Sequence, residues 1–351
     1  MNSKFRLPRW LPGAIISILL IVVILQFVDL NAMLEAVRQA DYRLLAGATV
    51  LSFVWMAVRA KVWQTLLRDR PTYKDTLFTV GEGYLLNNFL PFRLGEIGRA
   101  FLIARKSGMQ FAEVLPTIVI ERVVDLGISA SLLLVSLPYV ITHVSGAQDA
   151  ATAQNAERIG TIAGGVVLFG LVMLYVLAHY NQWALNLFHK LSARWPSLQK
   201  FGGGFLESFF EGLGVLKDGW LFVRFLLWMT LNWGVALAAY YLMMLAYFPE
   251  TEFIWIFFIL SAVAFGGAIP AAPGAIGTFE GAFAGAVVLL VGQEFTSTAL
   301  AVALTARLYN YLNSGVVGFI GLSREGETLG GVYRELMALR KKETEEVVPP
   351  S

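Results

Sequence analysis

Apolar residues in this chain gather in long runs instead of alternating with polar ones. Runs over about 13–28, 44–60, 115–142, 159–179, 221–247, 253–270, 276–292 and 299–322 are long enough to cross roughly 30 Å of hydrocarbon as helices. A shorter, less hydrophobic run covers about 76–91. The pattern predicts an all-α, polytopic integral membrane helical bundle.

Composition agrees. Of the 351 residues, 57% are hydrophobic and 15% charged, whereas a soluble domain carries about a quarter charged residues. Mean hydropathy is +0.63. The formal net charge of +2 and the lack of a lysine-rich tract give nucleic-acid binding little support. Cysteine is absent, which removes disulfides, thiolate nucleophiles and thiolate-bound metals. No cofactor or metal site is predicted, and without H-E-x-x-H, G-x-S-x-G or a nucleotide-binding loop neither hydrolysis nor ATP coupling within the chain is indicated.

Lysine and arginine set the orientation. Lys4, Arg6 and Arg9 precede the first run, which no small-x-small cleavage pattern follows, so it reads as an uncleaved span. With the N-terminus inside, the inner connections hold 21 of the 27 basic residues, including five in 59–75, four in 93–106, four in 180–218 and five in the tail. The outer connections hold only Arg38, Arg43 and Arg158. This gives an N-in, C-in protein of the plasma membrane, provided that residues 76–106 enter and leave on the cytoplasmic side. A re-entrant hairpin meets that condition: a half-helix ending near Asn88, a break at Pro91 and a return from about Gly95. Irregular backbone at membrane depth requires a protein or wet-cavity lining.

A weaker copy follows at "AIPAAPGAIGTFEGAF". At an offset of 182, Pro91, Leu94, Gly95, Ala100 and Phe101 align with Pro273, Ile276, Gly277, Ala282 and Phe283, and Arg122 and Asp125 correspond to Arg307 and Asn310 after a slip to 185. The prediction is an inverted repeat: about six full spans plus two re-entrant hairpins, or about eight hydrophobic crossings, able to expose a midplane site to each side in turn. Residues 1–322 form the transmembrane domain, with a first half at about 13–179 (hairpin 76–106) and a second at about 221–322 (hairpin 253–292). Residues 180–220 form a cytoplasmic amphipathic connector, and 323–351 a charged cytoplasmic tail.

The motifs "NNFLPFRLGEIGRAFLIARKSG", "PTIVIERVVDLG" and "PAAPGAIGTFE" make the chain resemble the flippase-like membrane region of the lysylphosphatidylglycerol synthase family, over about 10–322. The resemblance implies movement of an aminoacylated phospholipid between leaflets. Residues 323–351 are too few for a transferase, so it implies the translocating half without the synthesising half. Some relatives are fused to glycosyltransferases acting on polyprenyl-linked sugars, and the substrate is not carried over.

Head-group candidates are Arg93, Glu96, Arg99, Glu121, Arg122, Asp125, Glu280 and Arg307. Guanidinium forks suit bidentate phosphate recognition, and half-helix N-termini near Gly95 and Gly277 would add positive dipole ends. The carboxylates could balance the arginines, bind a cationic head group or carry a proton. Each has a plainer reading. Arg122 and Asp125, three apart, can neutralise each other; Arg93, Glu96 and Arg99 can sit in an interfacial loop; Pro270, Pro273, Gly274 and Gly277 can kink one helix. Asn88 can cap the hairpin or bond substrate.

The leading expectation is a non-enzymatic lipid translocase whose partner is a membrane phospholipid or polyprenyl-linked lipid. A membrane subunit serving a separate transferase, and an enzyme using intramembrane carboxylates, are the alternatives. A second copy of the chain is a further candidate partner.

Overall fold

In a computed structural model the structure describes residues 29–90, 93–144, 217–267 and 273–326, with isolated positions elsewhere. The expected spans at 13–28 and 159–179, nearly all of the connector and tail, Pro91 and Pro270 lie outside the described residues, as does the Pro273 side chain.

Among the described residues the elements are all helical: α1 Leu30–Gln39, α2 Tyr42–Leu66, α3 Tyr73–Phe89, α4 Leu94–Ser107, α5 Phe111–Val144, α6 Gly219–Tyr247, α7 Phe253–Gly266, α8 Thr278–Val291 and α9 Thr296–Glu325. Their starts follow from side-chain caps. Asp29, Asp41, Thr72 and Asp218 each accept bonds from first-turn backbone N–H groups. The chain leaves α4 through Gly108, whose φ of 68° suits a residue without Cβ, after Arg105 and Lys106 at the negative end of the helix dipole.

Among the described residues two helices, α2 and α6, are long and apolar enough to cross a membrane by length and composition. They pack together antiparallel, as Gly47 against Leu242 and Asp41 N–H on the carbonyl of Ala246 (3.0 Å) show. The apolar helices α7 and α8 have 14 residues each, about 21 Å at 1.5 Å per residue, too short for the hydrocarbon core alone. Helix α4 also has 14 residues, and α3 has 17.

These short helices form two antiparallel pairs. In the first, a Cβ on Gly95 would lie 2.2 Å from the carbonyl of Gly83, so the backbones of α3 and α4 touch where neither has a side chain. In the second, Gly266 of α7 meets Ala282 of α8. The packing is reciprocal: α3 lies on α9, and α7 on α5. Gly81 and Gly318 allow close approach at the first contact, while Ser261 Oγ donates to the carbonyl of Ser129 (2.8 Å) at the second.

The expected break near Asn88 to Gly95 falls between Phe89 and Leu94, and the later one between Gly266 and Thr278. The second break is longer and contains a 3-10 turn, Pro273–Ala275. Equivalent helix starts are therefore 184 apart, Arg93 and Gly277 being the two N-caps, not 182 as the proline alignment implies. One expectation is overturned. Helix α2 continues to Leu66, so Arg59 is a buried helical residue and not part of an inner connection. Trp55, Met56, Val62 and Trp63, at spacings of three and four, put it on a packed face.

Candidate functional site

Helix α5 carries Glu121, Arg122 and Asp125 over one turn, and the neighbouring helices bring arginines to them. Glu121 is fully buried. Its Oε1 accepts from Nη2 of Arg59 (2.7 Å), Arg99 (2.7 Å) and Arg122 (2.6 Å), so α2, α4 and α5 are joined at one carboxylate oxygen. Arg59 also forks onto Asp125, with contacts of 3.0 and 2.5 Å, and reaches Asn232 Oδ1 at 3.3 Å. Asp125 further accepts from Trp233 Nε1 at 3.1 Å. The Arg99 guanidinium lies 4.6 Å from the centroid of Trp63, a stacked position that ammonium could not fill as well.

Arg122 is the most open of these three arginines, with its side chain 27% exposed against 3% for Arg59 and Arg99. It lies 3.6 Å from Glu96 Oε1 and 3.4 Å from Asp125 Oδ2. Arg93 is 3.9 Å from Glu96 and about half exposed. Four guanidiniums thus face three carboxylates, Glu96, Glu121 and Asp125, leaving one positive charge. The Nε atoms of Arg59, Arg99 and Arg122 are buried without a hydrogen-bond acceptor, and Glu121 Oε2 and Asn87 Oδ1 without a donor.

The two breaks meet beside this network. Arg93 Nη2 donates to the carbonyl of Gly267 at 2.7 Å, tying the start of α4 to the end of α7. Gly274 stands against Asn88 and the hydroxyl of Tyr311, and Asn88 Nδ2 donates to Ser314 Oγ of α9 at 2.8 Å. Arg93 itself has a φ of 54°, a conformation that L-residues hold only under constraint.

The second break is closed on itself. Arg307 of α9 grips Glu280 through Nε–Oε1 (2.6 Å) and Nη2–Oε2 (3.0 Å), and donates to the carbonyls of Gly274 and Ala275. Glu280 Oε2 accepts from Gly277 N–H at 2.8 Å. The N-terminus of α8 is therefore capped by its own glutamate, and the expectation of an exposed half-helix start near Gly277 is corrected. A carboxylate three residues into a helix can reach back to the cap N–H. The corresponding start of α4 has no side-chain cap bond.

Of the sequence candidates, Arg93, Glu96, Arg99, Glu121, Arg122 and Asp125 come together, while Glu280 and Arg307 form a second cluster at the later break. Arg59, Asn232 and Trp233 belong to the first cluster and were missed. The apolar neighbours of Arg59 at helical spacing were a readable signal. Asn232 and Trp233 lie in an apolar helix whose rotation the sequence does not reveal.

Long apolar helices, paired short ones and buried charge at their breaks define a helical membrane protein. The chain belongs to the family described as the lysylphosphatidylglycerol synthase TM region, whose model matches residues 10–318. It is 24% identical over 321 residues to a UPF0104 membrane protein of Methanothermobacter thermautotrophicus, covering 87% of this chain and 90% of the relative. It is 22% identical over 294 residues to glycosyltransferase AglD of Haloferax volcanii, covering 77% of this chain and 47% of that protein. This chain thus matches about half of AglD. No solved structure matches it.

Proposed function

We propose that this protein is a lipid translocase of the plasma membrane, moving a phospholipid or lipid-linked head group between leaflets by alternating access. The observation that carries this is the meeting of two broken-helix pairs beside a buried arginine–carboxylate network. In this reading α3–α4 and α7–α8 are re-entrant hairpins, entered from the cytoplasm and from outside, in an N-in, C-in protein. The antiparallel packing of α2 on α6, and of α3 on α9 with α7 on α5, supports an inverted repeat.

The roles of the residues then divide. Arg93 and Arg122, the more exposed arginines, with the uncapped start of α4, contact a phosphate. Arg59 and Arg99 hold Glu121 and Asp125 in place. Arg307 and Glu280 keep the second break rigid. The one positive charge left over among these groups favours an anionic head group. The test is leaflet-resolved lipid movement in proteoliposomes holding only this chain, over a panel of phospholipids and polyprenyl phosphates. Movement of one lipid class, lost in Arg122→Gln, is the expected result; a wild-type protein that moves none refutes the reading.

A second reading has one observation in its favour: a curated relative is named as a glycosyltransferase of about twice the matched length. The chain would then hold a lipid substrate for a separate transferase. Lipid movement without any added transferase separates the two.

A further inference from the structure

The end of α2 and the start of α6 enclose a charged hollow of about 590 Å³, lined by Arg68, Asp69, Lys217, Asp218, Leu221 and Arg224. None of these belongs to the central network. Arg68 and Asp69 follow α2 with φ of 56° and 53°, and their N–H groups close back on the carbonyls of Thr65 and Gln64. That turn brings Asp69 to α6, where it pairs with Arg224.

The charges do not balance. Lys61, 3.4 Å from Asp69, joins Arg68, Lys217 and Arg224 as the fourth cation, against the two carboxylates of Asp69 and Asp218, which leaves two positive charges. Both carboxylates are already engaged, Asp69 by Arg224 and Lys61, and Asp218 as the cap that accepts Leu221 N–H at 3.1 Å. Arg70, next in the chain, is paired with Glu113 at 2.6 Å. Among the described residues the exposed side chains of Arg68 and Lys217 have no acceptor, and Nε of Arg224 is buried without one.

The hollow lies where α6 turns apolar. Asp218 caps the helix, and from Phe225 to Tyr247 no residue is charged. Trp220, Val223, Leu227 and Leu231 are exposed at spacings of three and four, Trp220 by 73%, so they share one face of the helix. Arg224 falls on that face between Trp220 and Leu227. In a helix that crosses a bilayer such a face meets acyl chains, and a tryptophan at its end marks head-group level.

We infer that this hollow binds the phosphodiester of an anionic phospholipid at the membrane interface, with Arg68, Lys217 and Arg224 on the phosphate and acyl chains along Val223, Leu227 and Leu231. Guanidinium forks match phosphate oxygens. A free phosphate would make the same charged contacts, but these are screened over about 8 Å at physiological salt, and it would leave the apolar face unused. A lipid is held in the plane of the membrane beside both. The bound lipid ties the turn after α2 to the start of α6. The site requires only that the chain lies in a membrane and is independent of the translocase reading.

The test uses the purified full chain in nanodiscs of phosphatidylcholine, with and without phosphatidylglycerol. Wild type should unfold at a higher temperature when phosphatidylglycerol is present, and native mass spectrometry should find one such lipid retained. The double variant Arg68→Gln/Lys217→Gln should lose both effects yet melt like wild type in phosphatidylcholine alone, since neither cation has a partner to strand. If it melts earlier there, lipid retention by each single variant decides, and retention equal to wild type in both refutes the site. Lys74→Gln with Arg324→Gln removes two exposed charges near the start of α3, where Arg324 lies over Phe78, and should keep both effects. A wild type that neither retains nor responds to phosphatidylglycerol, a double variant that responds like wild type, or a control that loses the response equally overturns the proposal. Sodium phosphate added to phosphatidylcholine discs is the last arm: stabilisation equal to that by phosphatidylglycerol, and lost in the double variant, would make this a site for a free anion and overturn the lipid assignment.

Discussion

Glu96 and Glu280 occupy the same place in two different helices, the third residue after a break, and each faces an arginine from the long helix that follows. Arg307 Nε is 2.6 Å from Glu280 Oε1, and Arg122 Nε is 3.6 Å from Glu96 Oε1. The shorter contact belongs to a closed unit in which Glu280 also caps its own helix. The longer one leaves Arg122 shared among Glu96, Glu121 and Asp125. One break is therefore locked, and the other retains unpartnered donors.

The locked break is structural, so Arg307→Gln should destabilise the protein by about 3–5 kcal/mol, the cost of leaving Glu280 without its partner in a dry setting. Glu280→Gln combined with Arg307→Gln should recover most of that loss, since no charge is then stranded. Thermal unfolding of the single and double variants in lipid nanodiscs measures both. An Arg307→Gln protein as stable as wild type would show that the grip on Glu280 and the two carbonyls contributes nothing.

At the open break the arginines differ. Arg59→Gln removes the bridge between α2 and both Glu121 and Asp125, and should cost about 3–5 kcal/mol. Arg122→Gln leaves Glu121 with Arg59 and Arg99, and Asp125 with Arg59 and Trp233. Its cost should be about 1 kcal/mol, in the range of a partly exposed pair, with lipid movement abolished. Unfolding and transport assays on Arg122→Gln, Asp125→Asn and their double variant decide it. A strongly destabilised Arg122→Gln whose stability and transport return in the double variant would make Arg122 a counter-ion for Asp125.

Much of this arrangement was legible from residue pattern. The apolar runs located α5 to α9 to within a few residues, and Pro-Gly punctuation located both breaks. The "RLGEIGRA" and "ERVVD" segments supplied six of the residues that meet in the first cluster. Hydropathy places a helix but not its rotation, so Asn232 and Trp233 went unnoticed. Arg59 was misread because a charge near the end of an apolar run resembles a connection, although its apolar neighbours on both sides marked a buried face. The 182 offset failed at the helix starts for a local reason, the added 3-10 turn at Pro273–Ala275.

Gly95 should be among the least replaceable residues. A Cβ there would stand 2.2 Å from the Gly83 carbonyl and 2.6 Å from Asn87 N, both backbone atoms that cannot rotate away. Gly95→Ala should force α3 and α4 apart, costing about 1–3 kcal/mol as an overpacking change, and lowering Tm. At Gly234, where nothing lies within 4 Å, the same substitution should be neutral or slightly stabilising because alanine favours helix. Equal melting temperatures for the two variants would show that the close approach of α3 and α4 is not required.

Topology can be tested at single residues because the chain has no native cysteine. Lys74→Cys and Gln110→Cys flank the α3–α4 pair, and Glu250→Cys and Gln293→Cys flank α7–α8; all four positions are exposed. If each pair re-enters, both members of a pair open on one side of the membrane, and the two pairs open on opposite sides. The 14 residues of α4, α7 and α8 span about 21 Å each, less than the roughly 30 Å needed to cross alone. A membrane-impermeant maleimide applied to intact cells should therefore label the cysteines at 250 and 293 but not those at 74 and 110. After permeabilisation all four should react. Labelling of 110 but not 74 from outside would mean that α3 and α4 together make one crossing; the helix directions of everything after α4 would then be inverted, and the two breaks would not belong to opposed re-entrant hairpins.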